Sequence, residues 1–473
     1  MKDYGLLIDG KWIVTDEKIG VKNKATGSEI GFISVAGEAE VTAAVDAAEK
    51  AFKTVKIEPY QRYAILMKAS QLLIENQKEM ASILSEEVGK PIKEAMGEVT
   101  RAQQTLILSA EEAKRMTGEM VPLAGAPGCG SRLAFTMRMP VGIVCAITPF
   151  NFPLNLACHK IGPALAAGNS VVYKPATVTP LSAVLLCKIF EQAGLPDGYL
   201  NLVTGSGSKL GKLLTEEQRI NFYSFTGSPA VGKGLLKDVG FRRVALELGS
   251  NSANIVHEDA ADIPATAELC AKYAFANAGQ VCISCQRVYV QRSVFQEFCQ
   301  QAVAYTKKLV VGDPSDAATD IGPMISEQEA VRAEDWLREA VAQGANVLIG
   351  GKRRDAWLEP TIVIDVQPEM KVVCMETFAP IFSIIPYDTI QEAIELVNDS
   401  VYGLQAGVFT NSLEIARECA MKIETGGVII NDGATFRTDN MPYGGIKESG
   451  IGREGPQYAV KEMTEEKLIV FKF

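Results

Sequence analysis

Apolar residues recur along the chain at two spacings. Val41, Ala44, Val45, Ala48 and Phe52 fall three or four apart, as do Ile65, Leu66, Ala69, Leu72 and Leu73, which is the period of an amphipathic helix. Short unbroken apolar runs bounded by Gly, Pro or Asn follow at 141–147, 170–173, 200–203 and 221–225, with a helical stretch at Leu181–Gln192 between two of them. Strands that are apolar throughout are buried on both faces, and their alternation with helices predicts a parallel sheet covered on each side. The alternation restarts after Glu247, with runs at 254–256, 287–290, 361–366, 383–387, 406–410 and 428–431. The pattern predicts two doubly wound α/β domains joined near residue 247.

Two segments stand outside it. Residues 117–139 are rich in Gly and Pro and end in an alternating stretch, 133–139, that reads as a protruding hairpin. Residues 467–473 (Lys-Leu-Ile-Val-Phe-Lys-Phe) form an apolar strand. An exposed apolar strand invites association, so this one is expected to pair with another subunit.

Composition narrows the function. A chain of 473 residues suits two or three domains, and 47% hydrophobic with 22% charged residues supports a sizeable core. The net charge of -10 argues against a nucleic-acid partner. No apolar run approaches the ~20 residues that span a bilayer, and the first residues lack a signal-peptide core, so no membrane partner and a cytoplasmic location are expected. Ten scattered cysteines are expected to be reduced there. The only histidines, His159 and His257, leave little for a histidine-based hydrolase and nearly exclude a His-rich metal site; no metal is expected, and acid–base work falls to carboxylates.

Several blocks carry candidate chemistry. Cys282, in Gly279-Gln280-Val281-Cys282-Ile283-Ser284-Cys285, is a thiol in a loop just before a strand, from which a thiolate can attack a carbonyl carbon. Thr148-Pro149-Phe150-Asn151 follows the carboxyl end of a strand, where doubly wound sheets hold ligands. The Asn151 amide there can donate to an oxyanion, or simply shape a turn. Lys174, before Pro175, suits a ribose hydroxyl or a phosphate, or is a solvated lysine. Gly227 and Ser228, in Phe225-Thr226-Gly227-Ser228-Pro229-Ala230-Val231-Gly232, open a helix where a diphosphate can approach. Glu247 lies in an apolar strand end, where desolvation raises a carboxylate toward the pKa of a general base unless an ion pair holds it. Glu376 and Phe378 offer a carboxylate for sugar hydroxyls and an aromatic ring to pack on another ring.

In this order, and nearly end to end, these blocks resemble the aldehyde dehydrogenase superfamily: Pro149–Pro153 matches P-[WF]-N-[FY]-P, Lys174–Ala176 K-P-[SA], Phe225–Gly232 F-T-G-S-x-x-x-G, Glu247–Ser250 E-L-G-[GS], Gly279–Cys282 G-Q-x-C and Glu376–Pro380 E-x-F-[GA]-P. The resemblance implies that Cys282 adds to an aldehyde, that Asn151 and the Cys282 N–H hold the oxyanion, and that Glu247 activates the water that hydrolyses the thioacyl enzyme. It implies NAD or NADP held by Thr148, Pro149, Phe150, Lys174, Thr177, Gly207, Gly227, Ser228, Gly249, Glu376 and Phe378, with Lys160 assisting proton relay. It assigns residues 1–116 and 140–246 to a cofactor-binding domain, 247–457 to a catalytic domain, and 117–139 with 458–473 to a small β oligomerisation arm of a homodimer or homotetramer.

Many relatives that prefer NAD carry Glu where this chain has Thr177, so NADP is expected to be accepted, or even preferred. Arg101 on a helix at 93–115, His159 and Arg437, cationic or potentially so, are placed by the resemblance near the substrate mouth, where converging Arg side chains suit a carboxylate, phosphate or sulfonate; the alternatives are a surface helix charge for Arg101 and a packed helix residue for His159. The loop 431–445 and the ending Gly444–Gly450 look like the branch holding lactaldehyde, sulfolactaldehyde, phosphonoacetaldehyde, succinate-semialdehyde and non-phosphorylating glyceraldehyde-3-phosphate dehydrogenases. Val281 stands where several phosphate- or carboxylate-handling relatives have arginine, which favours a lactaldehyde- or sulfolactaldehyde-type substrate over succinate semialdehyde or glyceraldehyde 3-phosphate. A coenzyme-A-acylating dehydrogenase would often lack Glu247, and a thiol acyltransferase would not need the Gly227–Gly232 block. Cys285 allows a disulfide with Cys282 by its C-x-x-C spacing, or is a small strand-entry residue.

Overall fold

The computed structural model describes residues 2–473. Two large sheets organise it. The first runs Gly450–Ile451, Arg243–Glu247, Phe222–Thr226, Ile143–Ile147, Ser170–Lys174, Leu200–Leu202, Leu6–Ile8 and Lys11–Ile13 in spatial order. Its strands from Arg243–Glu247 to Leu200–Leu202 are parallel neighbours. The second runs Asn346–Ile349, Thr361–Ile364, Ile381–Tyr387, Arg287–Gln291, Ala253–Val256, Gln405–Phe409 and Gly427–Ile430, parallel except at its first pair. Ile143–Ile147, Ser170–Lys174 and Phe222–Thr226 of the first sheet and Ala253–Val256 and Gln405–Phe409 of the second are buried at every position, which is why they read as apolar runs. The helix Leu181–Gln192 stands where the pattern put it.

Three features depart from expectation. The hairpin Leu6–Ile8/Lys11–Ile13 extends the first sheet through an Asp9-Gly10 turn, both residues at positive φ (48° and 72°), a signal too short for the periodicity to register. Gly450–Ile451 pairs antiparallel with Arg243–Glu247, so a segment expected in the second unit closes the edge of the first sheet. The terminal strand, expected to pair with another subunit, pairs with its own chain: Thr464–Lys472 runs antiparallel to Arg132–Pro140 from Thr464↔Pro140 to Lys472↔Arg132. A long free strand edge in the same chain is reached without the entropic cost of association. Met120–Val121 flanks Arg132–Pro140 on its other side. The outer edge of the terminal strand keeps Leu468, Val470 and Phe471 about half exposed. No helix among the described residues is long and apolar enough to cross a membrane.

The helix Asn155–Ala167 positions much of the site. It is buried along its whole length, so its polar side chains must find partners inside the protein. Its N-terminus is anchored by Glu98, on the helix Ile92–Ala113: the Leu154 and Asn155 N–H groups donate to Glu98 Oε1 at 3.0 and 3.1 Å. Fully buried Lys90 pairs with the same carboxylate and lies 3.7 Å from the Phe152 ring centre. Removing one partner of such a pair strands a buried charge. Glu98→Ala is therefore expected to lower unfolding free energy by about 3–5 kcal/mol in urea titration. The charge-free pair Lys90→Met/Glu98→Gln keeps an acceptor for both N–H groups and should recover most of that loss; equal stability of Glu98→Ala and the parent would contradict the anchoring role.

Candidate active site

The loop that presents Cys282 begins where the helix Ile263–Phe275 ends. Asn277, Ala278 and Gly279 take φ of 49°, 54° and 71° in succession. Left-handed backbone is unfavourable for the first two and persists only when the surroundings over-determine it. Here they do. The Asn277 N–H donates to Glu94 Oε2 at 2.9 Å and its side-chain amide to the Asn151 carbonyl at 3.3 Å. Gln280 Nε2 donates to the Asn277 carbonyl at 3.1 Å, and Gln280 Oε1 accepts from the Ile325 N–H at 2.9 Å. Gly279 lies so close to its neighbour that a Cβ would fall 2.0 Å from the Ala379 carbonyl oxygen.

This turn delivers Cys282 to a cavity of about 1130 Å³ lined by the carboxyl ends of the first sheet's parallel strands and by loops that lead into the amino ends of the second sheet's. Its Sγ lies 2.8 Å from the Tyr443 hydroxyl. Burial pushes the thiol up to about 11; Tyr443 and the Arg437 charge act the other way, and Glu376 and Glu247 add to the rise. Asn151 lines the same cavity, with its side chain fixed by Nδ2 donating to the Gln280 carbonyl at 2.9 Å and Oδ1 accepting from the Phe152 N–H at 3.1 Å. The second Nδ2 hydrogen has no partner among the described residues. Glu247, ending the strand Arg243–Glu247, is buried, and neither carboxylate oxygen has a hydrogen-bond partner among the described residues. Burial raises its pKa well above the ordinary value, the nearby Glu454 carboxylate adds to this, and Arg437, Lys160 and Arg453 oppose it. The unpaired state removes the ion-paired alternative for this glutamate.

The cavity fits a dinucleotide. Thr148, Pro149, Phe150 and Lys174 line it from two strand ends of the first sheet, Gly207 from the start of a helix, and Gly227 and Ser228 from the N-terminus of Pro229–Val239, whose dipole favours a phosphate. Gly207 and Gly211 have open space where a Cβ would project. Lys174 is buried rather than solvated, its Nζ meets only the Pro175 carbonyl at 3.1 Å, and burial lowers its pKa to about 8. From the loop leading into the strand Ile381–Tyr387 of the second sheet come Glu376, raised to about 7 by burial, and Phe378, whose ring meets Phe150 edge-on at 5.9 Å. A Cβ on Gly249 would fall 2.5 Å from Glu376 Oε2, so only glycine leaves that carboxylate its place. Thr177 is the exception: Ala176 and Val178 line the cavity, while the Thr177 hydroxyl donates to the Gly205 carbonyl at 2.8 Å.

The cations expected at the substrate mouth do converge, but on acidic residues of their own. Arg101 donates to both Asp439 oxygens at 2.8 and 3.3 Å, with its side chain 35% exposed. His159 Nε2 lies 2.9 Å from Asp439 Oδ1. His159 follows the packed-helix reading rather than the cationic one: complete burial and the Arg437 charge lower its pKa and favour the neutral ring. Arg437 donates to Glu454 Oε2 at 3.1 Å and stacks 3.5 Å from the Tyr443 ring centre, while its buried Nε has no partner among the described residues. Lys160 donates to Thr226 Oγ1 at 2.7 Å and to Glu454 Oε1 at 2.6 Å. Burial alone would raise Glu454, but Lys160 and Arg437 hold it down to about 2. Val281 packs with Ile283, Leu404 and Tyr443 as an apolar collar beside Cys282. Cys285 does not face Cys282. It is fully buried in the core of the second unit against Asn254 and Cys270, so the disulfide allowed by its spacing has no support in the fold.

Tyr443, Glu454, Asp439 and Gln280 were not singled out from the sequence. Asp439 meets His159 across 280 positions and Glu454 meets Lys160 across 294, and no local pattern marks such partners.

Comparison with known proteins agrees with this geometry. The profile described as "Aldehyde dehydrogenase family" matches residues 12–469. A 3-sulfolactaldehyde dehydrogenase of Priestia megaterium is 53% identical over 99% of this chain and 98% of its own length. A lactaldehyde dehydrogenase of Methanococcus maripaludis is 43% identical over 98% and 99%. The crystal structure of glyceraldehyde-3-phosphate dehydrogenase GapN from Methanocaldococcus jannaschii, complexed with NADP, superposes with TM-score 0.93 at 40% identity, covering 97% of this chain and 100% of that one.

The left-handed turn yields a direct test. Gly279→Ala must displace backbone as well as adopt positive φ, moving Cys282 off its position. Turnover is expected to fall about 10²-fold with the fold retained by circular dichroism; turnover within about twofold of the parent would show that the turn does not seat the thiol.

Proposed function

The chain belongs to the aldehyde dehydrogenase family, and from that premise we propose that it oxidises a small anionic or hydroxylated aldehyde, of sulfolactaldehyde or lactaldehyde type, through a covalent adduct on Cys282. It is an NAD(P)-dependent aldehyde dehydrogenase. The observation that carries the proposed mechanism is the Cys282 sulfur in the dinucleotide-sized cavity, with the buried, unpartnered Glu247 close enough for its charge to act on the thiol.

In this reading the Cys282 thiolate adds to the aldehyde carbon, and the carbonyl oxygen becomes an oxyanion. The uncommitted Asn151 N–H and the Cys282 backbone N–H donate to it. Bound NAD(P) supplies the hydride acceptor. Cys282 is then left as a thioester. Glu247 takes a proton from water, the hydroxide attacks the thioester carbon, and the carboxylic acid departs as the thiol reforms. Lys174, Gly227, Ser228, Glu376 and Phe378 hold the dinucleotide in place. Lys160, which bridges Thr226 and Glu454 and whose charge acts on Glu247, assists the proton relay in this reading.

The substrate class is supported by the curated relatives, by the apolar Val281 collar, and by the cationic groups still available: the partly exposed Arg101 and the unpartnered Nε of Arg437. NADP use is supported by Thr177, which brings no carboxylate to the cavity rim, and by the NADP complex of the GapN neighbour. The half-exposed outer edge of Thr464–Lys472 supports a homodimer or homotetramer built through the arm.

Purified enzyme assayed with lactaldehyde, sulfolactaldehyde, succinate semialdehyde, glyceraldehyde 3-phosphate and a long uncharged aldehyde tests the reading. The highest kcat/KM is expected with one of the first two, with NADP active. Fastest turnover of the long aldehyde would refute the substrate class, and inactivity with NADP the cofactor reading. Thr177→Glu should shift the NADP/NAD ratio of kcat/KM about tenfold toward NAD through like-charge repulsion. Because the pKa of Glu247 is raised, its ionised, basic form accumulates only at higher pH than an ordinary carboxylate's, so the hydrolytic step should quicken as pH rises. Glu247→Gln should lose about 10²–10⁴-fold in turnover together with that pH limb; retention of both would remove Glu247 from the mechanism.

A further inference from the structure

We propose that Tyr443 is a catalytic residue whose hydroxyl donates a hydrogen bond to the Cys282 sulfur and so stabilises the thiolate when the thiol loses its proton, with Arg437 stacked on the phenol ring to strengthen that donor. The proposal rests on the reading of Cys282 as the nucleophile.

The geometry leaves the Tyr443 proton one destination. The ring is buried, the hydroxyl lies 2.8 Å from Cys282 Sγ, and no other partner for it exists among the described residues. Burial also keeps the phenol protonated well past the ordinary tyrosine range, so it serves as a donor throughout the working pH. A neutral thiol is a weak acceptor and a thiolate a strong one, so a buried O–H committed to sulfur favours the ionised form. The guanidinium of Arg437 lies 3.5 Å from the centre of the same ring, where a cation draws electron density from the phenol.

Tyr443 is itself fixed. Its backbone N–H donates to the Glu454 carbonyl at 3.1 Å and its carbonyl accepts from the Glu454 N–H at 2.6 Å, while the Glu454 carboxylate holds Arg437 over the ring. One residue thus sets both the phenol and the cation. The ionisable groups acting on Cys282 are Tyr443 and Arg437, which favour the thiolate, and Glu376 and Glu247, which oppose it. No imidazole is within that set; the phenol, staying protonated, supplies only the hydrogen bond to sulfur and takes no proton from the thiol, which passes to solvent when the thiolate forms.

Tyr443→Phe removes one oxygen and keeps the ring under Arg437. The test is iodoacetamide labelling of Cys282 in cofactor-free enzyme as a function of pH, followed by peptide mapping so that the partly exposed Cys129 and Cys374 are scored separately. The labelling midpoint is expected to rise by about one pH unit, with about tenfold slower labelling at fixed pH below it. kcat should fall while KM for NADP stays within about twofold, a split that a purely structural role would not give. Arg437→Lys keeps a charge opposite Glu454 and loses the planar stack; its midpoint should rise by a smaller amount. A Cys282 labelling profile unmoved in both variants would overturn the role of Tyr443. Full turnover in Cys282→Ser would instead overturn the nucleophile reading beneath it.

Discussion

Three successive left-handed residues, Asn277, Ala278 and Gly279, decide where the reactive sulfur stands. Two of them have a Cβ and resist that conformation, so the turn exists only because contacts from distant elements enforce it. Glu94 reaches it from the helix Ile92–Ala113, Asn151 from the loop after a strand of the first sheet, and Ile325, through Gln280, from the second unit. The same loop therefore reads out the packing of both sheets, and Cys282 occupies its place only when they are assembled. Asn151 is held in the same step, since its amide and its carbonyl both bond within this turn.

The second organising constraint is charge without water. The helix Asn155–Ala167 is buried along its length yet carries Asn155, His159 and Lys160. Their acidic partners, Asp439 and Glu454, come from the late segment that crosses back to pair with the first sheet at Gly450–Ile451. That crossing supplies Tyr443 and Arg437 as well, so one stretch of chain brings the groups that balance the helix and those that touch the thiol. Against it, Glu247 is left without a partner. A carboxylate kept unpaired among neutralised neighbours is poised to accept a proton, whereas one drawn into the Lys160–Glu454 pair would be too weak a base.

Much of this was legible in the sequence because it is local. The parallel strands announced themselves as apolar runs, and each candidate dinucleotide or oxyanion residue of the first sheet sits at or just past a strand end: Asn151, Lys174, Gly227, Gly249. Eleven residues expected at the dinucleotide include ten that line one cavity, with Thr177 turned onto Gly205 instead. What escaped was long-range. Nothing near Arg101 or His159 in the chain reveals that Asp439 absorbs them, and the pairing of Arg437 with Glu454 depends on a loop no periodicity marks, so a cluster that read as an open anion pocket is largely self-neutralised. The terminal strand was recognised as needing a partner, but edge chemistry alone does not say that Arg132–Pro140 of the same chain supplies it.

The central claim is that Cys282 carries the substrate as a covalent acyl group that Glu247 releases. Intact-protein and peptide mass spectrometry of the Glu247→Gln enzyme, mixed with NADP and lactaldehyde or sulfolactaldehyde and quenched in acid, tests it most directly. The account predicts one acyl group per chain, mapped to the Cys282 peptide and accumulating to near stoichiometry because hydrolysis is slowed. An acyl group on another residue, or NADPH formed with Cys282 unmodified and turnover undiminished, would contradict it.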